Sequence, residues 1–402
     1  MRAIKILDNM LWGSITLLVS SFYIYGSNIY GKYLMMILTF IVAVLCVLRY
    51  GKKINLHLTS FHLSIFVFAT FCLISTWWSP TTQLTLDKAI TIFQILVCMS
   101  VVYIYADHQN STLPLLDTIR WAGYIMTIYL FAVYGWSELN ILLQAGMRID
   151  SELINSNVIG MIVAFSIVLT LYKIIFFKFS VWHLFVIPEF VILSISSSKK
   201  AFFILLLGAM SVIAMKYRKE NMFKKLIAVL LALFLGVFFL FLVWNLPFFT
   251  GLKNRLELFL NFFTGQGMID ISTLTRNYMV RIGIAEFLNN PLLGLGIGSS
   301  SEITLKSLGW ATYLHNNYIE LLACGGIVGT IIYYFMFLYP GLQLLRKGYN
   351  KDKNTLICLI LLLLWLITDW GVVSYYYKQT YFFILLFFMQ AKLVQKEANQ
   401  NV

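Results

Sequence analysis

The chain has 402 residues, 60% of them hydrophobic and only 12% charged, about half the charged share of a soluble domain. Its 30 Lys and Arg against 17 Asp and Glu leave a formal charge of +13. The basic residues punctuate apolar runs, so topology and anionic membrane lipid account for them and no nucleic acid is expected as a partner. The apolar runs are continuous rather than alternating, which excludes a membrane β-barrel and predicts an all-α, polytopic membrane protein.

In chain order, MRAIKILDNML is a short basic segment without a small-residue cleavage site, and reads as the start of an uncleaved first helix. Twelve membrane spans are expected, near residues 10–28, 33–48, 61–78, 89–105, 120–137, 157–172, 180–197, 201–215, 226–244, 318–339, 355–370 and 379–391. One set of connectors is basic: Arg49/Lys52/Lys53, Lys173/Lys178, the run Lys216 to Lys225, Arg346/Lys347/Lys351/Lys353, and Lys392/Lys396. They alternate so as to share one side, expected to be the cytoplasmic face, and twelve spans put both termini there. The chain is then a single integral membrane domain, 1–402. Its opposite face carries two long connectors, Glu138–Ser156 and the large extracytoplasmic loop 245–317. A loop of that length exceeds what a bare connection needs, and such loops are usually functional. It contains the amphipathic stretch TRNYMVRIGIAEFLNN and then PLLGLGIGSSSE, an expected short helix followed by a glycine turn. No internal repeat marks a repeat-built transporter.

Four places on the external face hold chemistry-bearing residues. AGMRIDSELINSNVIG carries Arg148, Asp150, Glu152, Asn155 and Asn157 into the sixth span, to bind sugar hydroxyls or to cap that helix. In SISSSKKAFF, Lys199 and Lys200 open the eighth span; two cations there oppose the helix dipole, so they either hold an anion or snorkel. Arg276 and Arg281 lie five apart in the large loop, and each offers a fork of donors matching phosphate oxygens, unless both merely solvate a loop helix. In YLHNNYIELLACGGIVGT, His315 sits at the mouth of the tenth span, where a neutral imidazole can take a hydroxyl proton or stand as an ordinary interfacial side chain. Asn316 and Glu320 share one helix face, and Gly325 and Gly329 allow a close helix neighbour. GLGIGSS at 294–300 has glycine spacing like that of a nucleotide-binding turn, but it follows no strand and is rejected as one. The five cysteines lie inside apolar runs without CxxC spacing, and no HExxH, paired DxD or histidine cluster indicates a metal; no cofactor is expected.

The region from Arg276 to Thr330 resembles the O-antigen ligase and O-antigen polymerase superfamily. The family pattern of an Arg, then Pro-Leu and Gly-x-Gly, reads here as Arg276, Pro291, Leu292, Gly294 and Gly296. The family's His-Asn pair followed by Gly-x-x-Gly reads as His315, Asn316, Gly326 and Gly329. A family Ser-Arg pair before the basic internal loop is Ser198-Lys199 here, with Lys in place of Arg, and Arg148 to Gly160 is similar to the polar loop before a central span.

The resemblance implies glycosyl transfer on the extracytoplasmic face, from a glycan on undecaprenyl diphosphate to a sugar hydroxyl. His315 would be the general base. Arg276 and Lys199, with Arg281 next, would stabilise the leaving diphosphate, and attack would invert the anomeric carbon without a metal. Arg148, Asn316, Lys200 and Glu320 are the further substrate-binding candidates. Lys200, one position along the helix, points about 100° from Lys199 and is expected to matter less. A polymerase extending a lipid-linked repeat unit is favoured over a ligase joining the glycan to lipid A core; a flippase or transporter of lipid-linked sugars is the third alternative. The partners implied are the lipid-linked oligosaccharide, an acceptor glycan or lipid and membrane lipids, with a flippase and a chain-length regulator as candidate protein partners.

Overall fold

In hydrocarbon every backbone N–H and C=O must be bonded within the protein, so a continuous apolar run is forced into a helix. The computed structural model describes residues 2–26, 28–54, 57–149, 155–264, 271–348 and 352–400, and among them helix is the only regular structure. The helices are α1 (Arg2–Tyr25), α2 (Ile29–Tyr50), α3 (Ser60–Ile74), α4 (Thr82–Asp107), α5 (Leu113–Ala145), α6 (Ser156–Phe176), α7 (Val186–Ser196) and α8 (Lys199–Tyr217). They continue as α9 (Met222–Asn245), α10 (Thr250–Thr264), α11 (Ile271–Asn289), α12 (Ser300–Leu308), α13 (Asn317–Gln343), α14 (Lys353–Asp369) and α15 (Lys378–Gln400). A helix coincides with each of the twelve expected spans. Among the described residues eight of these, α2 to α6, α8, α9 and α13, are long and apolar enough to cross a membrane. The other four fall short for separate reasons. α1 begins with Arg2, Lys5 and Asp8, α7 and the turn before it form a shorter apolar helix, α14 has 17 residues, and α15 ends in a polar tail.

Two helices mark the extremes of burial. α15 is enclosed by its neighbours, with every residue from Lys378 to Ala391 buried, as a central helix must be. α9 leaves Phe223, Leu230, Phe234, Val237 and Phe241 among its many exposed apolar side chains, a surface suited only to lipid. α5 is longer than the expected 120–137 span, because the chain turns at Gly135 (φ 67°) and resumes as helix to Ala145. It stops at Gly146, whose left-handed φ of 64° lets its own N–H and that of Met147 bond back to the carbonyls of Leu143 and Leu142.

Polar contacts sort the connectors into two ends. At one end Arg49 pairs with Asp8 (2.6 Å), Lys173 with Asp117 (2.8 Å) and Lys392 with Asp107, while Lys353 lies over Phe177. These tie the basic connectors to the start of α1, the start of α5 and the end of α4, and one of them to another. At the other end Lys378 donates to the Gly26 carbonyl (2.9 Å), Ser79 meets Ser299 (2.8 Å) and the Ile149 N–H bonds Ile195 (3.3 Å). Partly exposed ion pairs contribute only about 0.2–1 kcal/mol each, so the first set reports which termini share an end more than what holds the bundle together. The long connector between α9 and α13 lies at the second end and folds as α10, α11 and α12 rather than as one short helix and a turn.

Candidate active site

The site is built around a break in α13. At Gly326 the backbone leaves the helical region (φ 61°, ψ −167°), which strips carbonyls and amides on either side of their helical partners. The segment after α11 fills the gap. Leu295 N–H donates to the Ala323 carbonyl (2.9 Å) and Gly296 N–H to Cys324 (2.8 Å). In return Ile327 N–H donates to Pro291 (2.9 Å) and Val328 N–H to Leu292 (3.2 Å). The approach leaves no room for side chains: a Cβ on Gly294 would lie 2.4 Å from the Cys324 backbone, and one on Gly326 2.3 Å from the Leu292 carbonyl oxygen. So the Pro-Leu-x-Gly-x-Gly and Gly-x-x-Gly motifs are the two halves of one joint. Gly329 adds the helix contact expected of it, against the Phe71 ring of α3. Gly326→Ala combines a left-handed backbone with a clash against main chain. Each is worth about 1–3 kcal/mol, so a clear drop in melting temperature is expected in detergent; an unchanged melt means that the joint is not formed.

That joint anchors the loop bearing His315. Ser300, at the start of α12, donates to Glu320 Oε1 (2.5 Å), and the Leu314 N–H donates to Glu320 Oε2 (2.8 Å). The Thr304 hydroxyl donates to the Thr312 carbonyl and accepts from the Thr312 N–H, both at 2.9 Å. Asn316 caps α13, its side chain accepting from the N–H groups of Tyr318 (3.0 Å) and Ile319 (3.2 Å). His315 is thus fixed on both sides and adopts a left-handed φ of 55°, which an ordinary residue takes at a cost of about 1–2 kcal/mol. Strain of this kind persists only where the surroundings impose it, and it concentrates at functional positions.

The His315 ring is half-buried and leans on Tyr313, with centroids 4.1 Å apart. Burial pushes its pKa down, and the nearby charges of Arg276 and then Lys200 push it further, to about 4. The imidazole is therefore neutral at pH 7, the form that accepts a proton. Tyr313 is held above the usual phenol range by burial.

The cations have different surroundings. Ser198 caps α8 and fixes the phase of its first turn. Lys199 then faces α10 and α11, over the Phe259 ring (4.7 Å) and against the Thr273 hydroxyl (3.4 Å). Lys200 faces the turn after α14, where it donates to the Gly371 carbonyl, and it is the lysine whose charge reaches His315. Arg276 is half-buried on α11 and also acts on His315; Arg281, five residues on, is exposed. Arg148 braces the turn that presents the two lysines, with Nε on the Ser196 carbonyl and an NH2 group on Asn157 Oδ1, both at 3.1 Å. Asn316 Oδ1 accepts from the backbone of α13, and Glu320 accepts from Ser300 and the Leu314 N–H. Asp150 and Glu152 lie outside the described residues.

Residues 184–334 match the family model described as O-antigen ligase. The match covers well under half of the chain and shows that this region is similar to the O-antigen ligase family. No curated protein matches the chain. The matched region runs from just before α7 into the middle of α13, so it takes in Lys199, Lys200, Arg276, Arg281, His315, Asn316 and Glu320 and leaves out Arg148. Among the described residues no group of three or more His, Cys, Asp and Glu stands close enough to hold a metal ion.

A second support escaped the sequence. Asp369, fully buried, accepts from Ser374 (2.6 Å), Tyr334 (3.1 Å) and Asn317 (3.2 Å), and Asn317 in turn accepts from the Ser374 and Tyr375 N–H groups (2.9 and 3.1 Å). The network ties the 370–377 turn, and with it the Gly371 carbonyl under Lys200, to the residue two places after His315. Its only sequence signal was a lone acid at the end of an apolar run.

Proposed function

We propose that the chain transfers a glycan from undecaprenyl diphosphate to a sugar hydroxyl at the His315 end of the bundle, and that it polymerises repeat units of a surface polysaccharide. The observation that carries this reading is a neutral histidine, locked in a strained conformation, beside Arg276 and Lys200. The acceptor hydroxyl gives its proton to the imidazole while its oxygen attacks the anomeric carbon. The bond from that carbon to the diphosphate oxygen breaks, the electron pair leaves with the diphosphate, and attack from the opposite side inverts the carbon. Arg276 faces the charge that grows on the leaving group as a fixed cation in a partly dry site, and Lys200, whose pKa burial and then Arg276 and Lys199 pull down to about 7, is held in its charged form by that same negative charge. An imidazole with a pKa near 4 is a weak base by itself. A bound diphosphate offsets both cations that depress it, so binding of the donor raises the basicity of His315 at the moment it is needed.

The test is reconstitution of the purified protein in liposomes with a lipid-linked repeat unit and excess EDTA. A ladder of lipid-linked products supports metal-independent polymerisation. Transfer only when lipid A core is supplied supports the ligase reading. Movement of the lipid-linked unit across the bilayer without transfer supports a transporter.

The reading also requires twelve crossings, both termini and the basic connectors in the cytoplasm, and the His315 end outside. The cysteines of the chain are all buried, so single cysteines introduced at Ser272 and Asn221 give a clean readout in whole cells. An impermeant thiol reagent is expected to label Ser272→Cys and spare Asn221→Cys; the reverse pattern removes the external active site.

A further inference from the structure

A cavity of about 390 Å³ opens at the same end as His315, between the starts of α2, α4, α6 and α15 and the end of α1. Its volume is within the roughly 300–1,000 Å³ typical of sites for small molecules. Three lysines line it from three helices: Lys32 of α2, Lys88 of α4 and Lys378 of α15. One carboxylate, Asp87, is also on the wall, and it is exposed. Lys88 stands over the Tyr376 ring, 3.2 Å from its centroid, and Lys378 donates to the Gly26 carbonyl. Lys32 is near enough to repel both of the other two. Among the described residues none of the three is in an ion pair.

Glu320 and Asp87 both lie within electrostatic reach of Lys88, but neither forms an ion pair with the three lysines among the described residues, and cations that outnumber carboxylates at the end of a membrane bundle mark a place where an anion is expected. The remaining wall suits a glycolipid: Thr91, Gln94, Asn155 and Gln379 offer hydrogen bonds to hydroxyls, and Tyr376 and Tyr377 offer flat faces to sugar rings. Outside the cavity, α2 and α4 carry exposed apolar residues such as Phe40, Ile90 and Val97, a surface for a prenyl tail. The cavity also adjoins the reacting end. Tyr376 and Tyr377 both lie within electrostatic reach of Tyr313, on which His315 leans.

We propose that this cavity is a second diphosphate site, separate from Lys200 and Arg276, which holds the head group of the acceptor while its sugar reaches His315. The proposal rests on the glycosyl-transfer reading above and gives it two lipid-linked substrates bound side by side.

Native mass spectrometry of the purified protein in zwitterionic nanodiscs, titrated with undecaprenyl diphosphate, counts the sites without requiring turnover. Two lipids per chain are expected. Lys32→Gln with Lys88→Gln should weaken one site about 10- to 100-fold, the range for losing charge-assisted contacts, and leave the other intact. Both lysines keep clear of the buried Lys378 contact, so the double variant is expected to fold; an unchanged melting temperature checks this. Arg276→Gln should weaken the other site only. Inorganic diphosphate as competitor separates the sources: displacement shows that the head group alone is recognised, and resistance shows that the prenyl tail contributes. One lipid per chain in the wild type, unaffected by the double lysine change, overturns the proposal even if His315 variants are inactive. Two lipids per chain with active His315 variants would instead leave the cavity standing and remove the transfer mechanism.

Discussion

His315→Ala is expected to lower product formation about 10²- to 10⁴-fold, the usual loss for a general base, while the protein still accumulates in the membrane. Alanine at a left-handed position also relaxes the loop, so His315→Asn is the sharper variant. Asn tolerates that conformation better than most residues and offers no comparable base. Equal losses in both variants place the effect on proton transfer; near-normal product in His315→Asn removes the imidazole from the chemistry and leaves it a backbone role.

The pH profile carries the same prediction in a second form. Burial, Arg276 and Lys200 hold the free imidazole near pKa 4, so the acid limb of kcat/KM should lie near pH 4 rather than in the ordinary histidine range, while loss of the Lys200 proton, near pH 7, sets the alkaline limb. The sign follows from the role: a base is lost when it is protonated, on the acid side. With donor bound, its diphosphate offsets the two cations, so the acid limb of kcat should lie at higher pH than that of kcat/KM. Arg276→Gln removes one of the depressing charges and should move the acid limb of kcat/KM up towards the usual histidine range. An acid limb near 6.5 in the wild type would contradict the environment described for His315.

How much of this the sequence showed depends on the distance over which each feature is encoded. Spans are local: an apolar run long enough to cross hydrocarbon has no option but helix, and a helix lies at each expected place. Their ends are less local. α4 begins at Thr82, before its apolar run, because TQLTLDK is helical while lining the polar cavity, and α5 runs past Gly135 because a glycine turn need not end a helix. Arg276 and His315 were legible through a motif, and the structure brings them within electrostatic reach. The glycine motifs were legible as two patterns, but that one fills the break in the other is a through-space fact no spacing contains. Asn316 and Glu320 were visible as a polar pair on one helix face; whether such a pair faces substrate or its own loop is decided by Leu314 and Ser300, which only folding brings near. Lys32, Lys88 and Lys378 are scattered over most of the chain, belong to no motif, and are brought together only by the fold.

The direction of Lys199 and Lys200 is the clearest case, and it sets the second large effect. From sequence Lys199 takes the family position and Lys200 is its control. In the folded chain Lys199 leans on Phe259 and Thr273, whereas Lys200 reaches the Gly371 carbonyl and acts on His315. Lys200→Gln is therefore expected to lower kcat about 10²- to 10³-fold, the loss typical of removing one fixed group that stabilises developing negative charge. Lys199→Gln gives up a cation–aromatic contact worth about 0.5–1 kcal/mol, less than about fivefold in rate. The arginine variants test the surroundings. Lys199→Arg should be tolerated, since a guanidinium also stacks on an aromatic ring. Lys200→Arg should not, because the lysine already lies so close to Gly371 that even a methyl group there would collide with it. Product assays on the four variants decide between the two lysines. Large loss in Lys199→Gln with little in Lys200→Gln restores the family position as the one that grips the diphosphate. Little loss in either leaves Arg276 as the cation that meets the leaving group, and makes both lysines anchors of the α8 terminus.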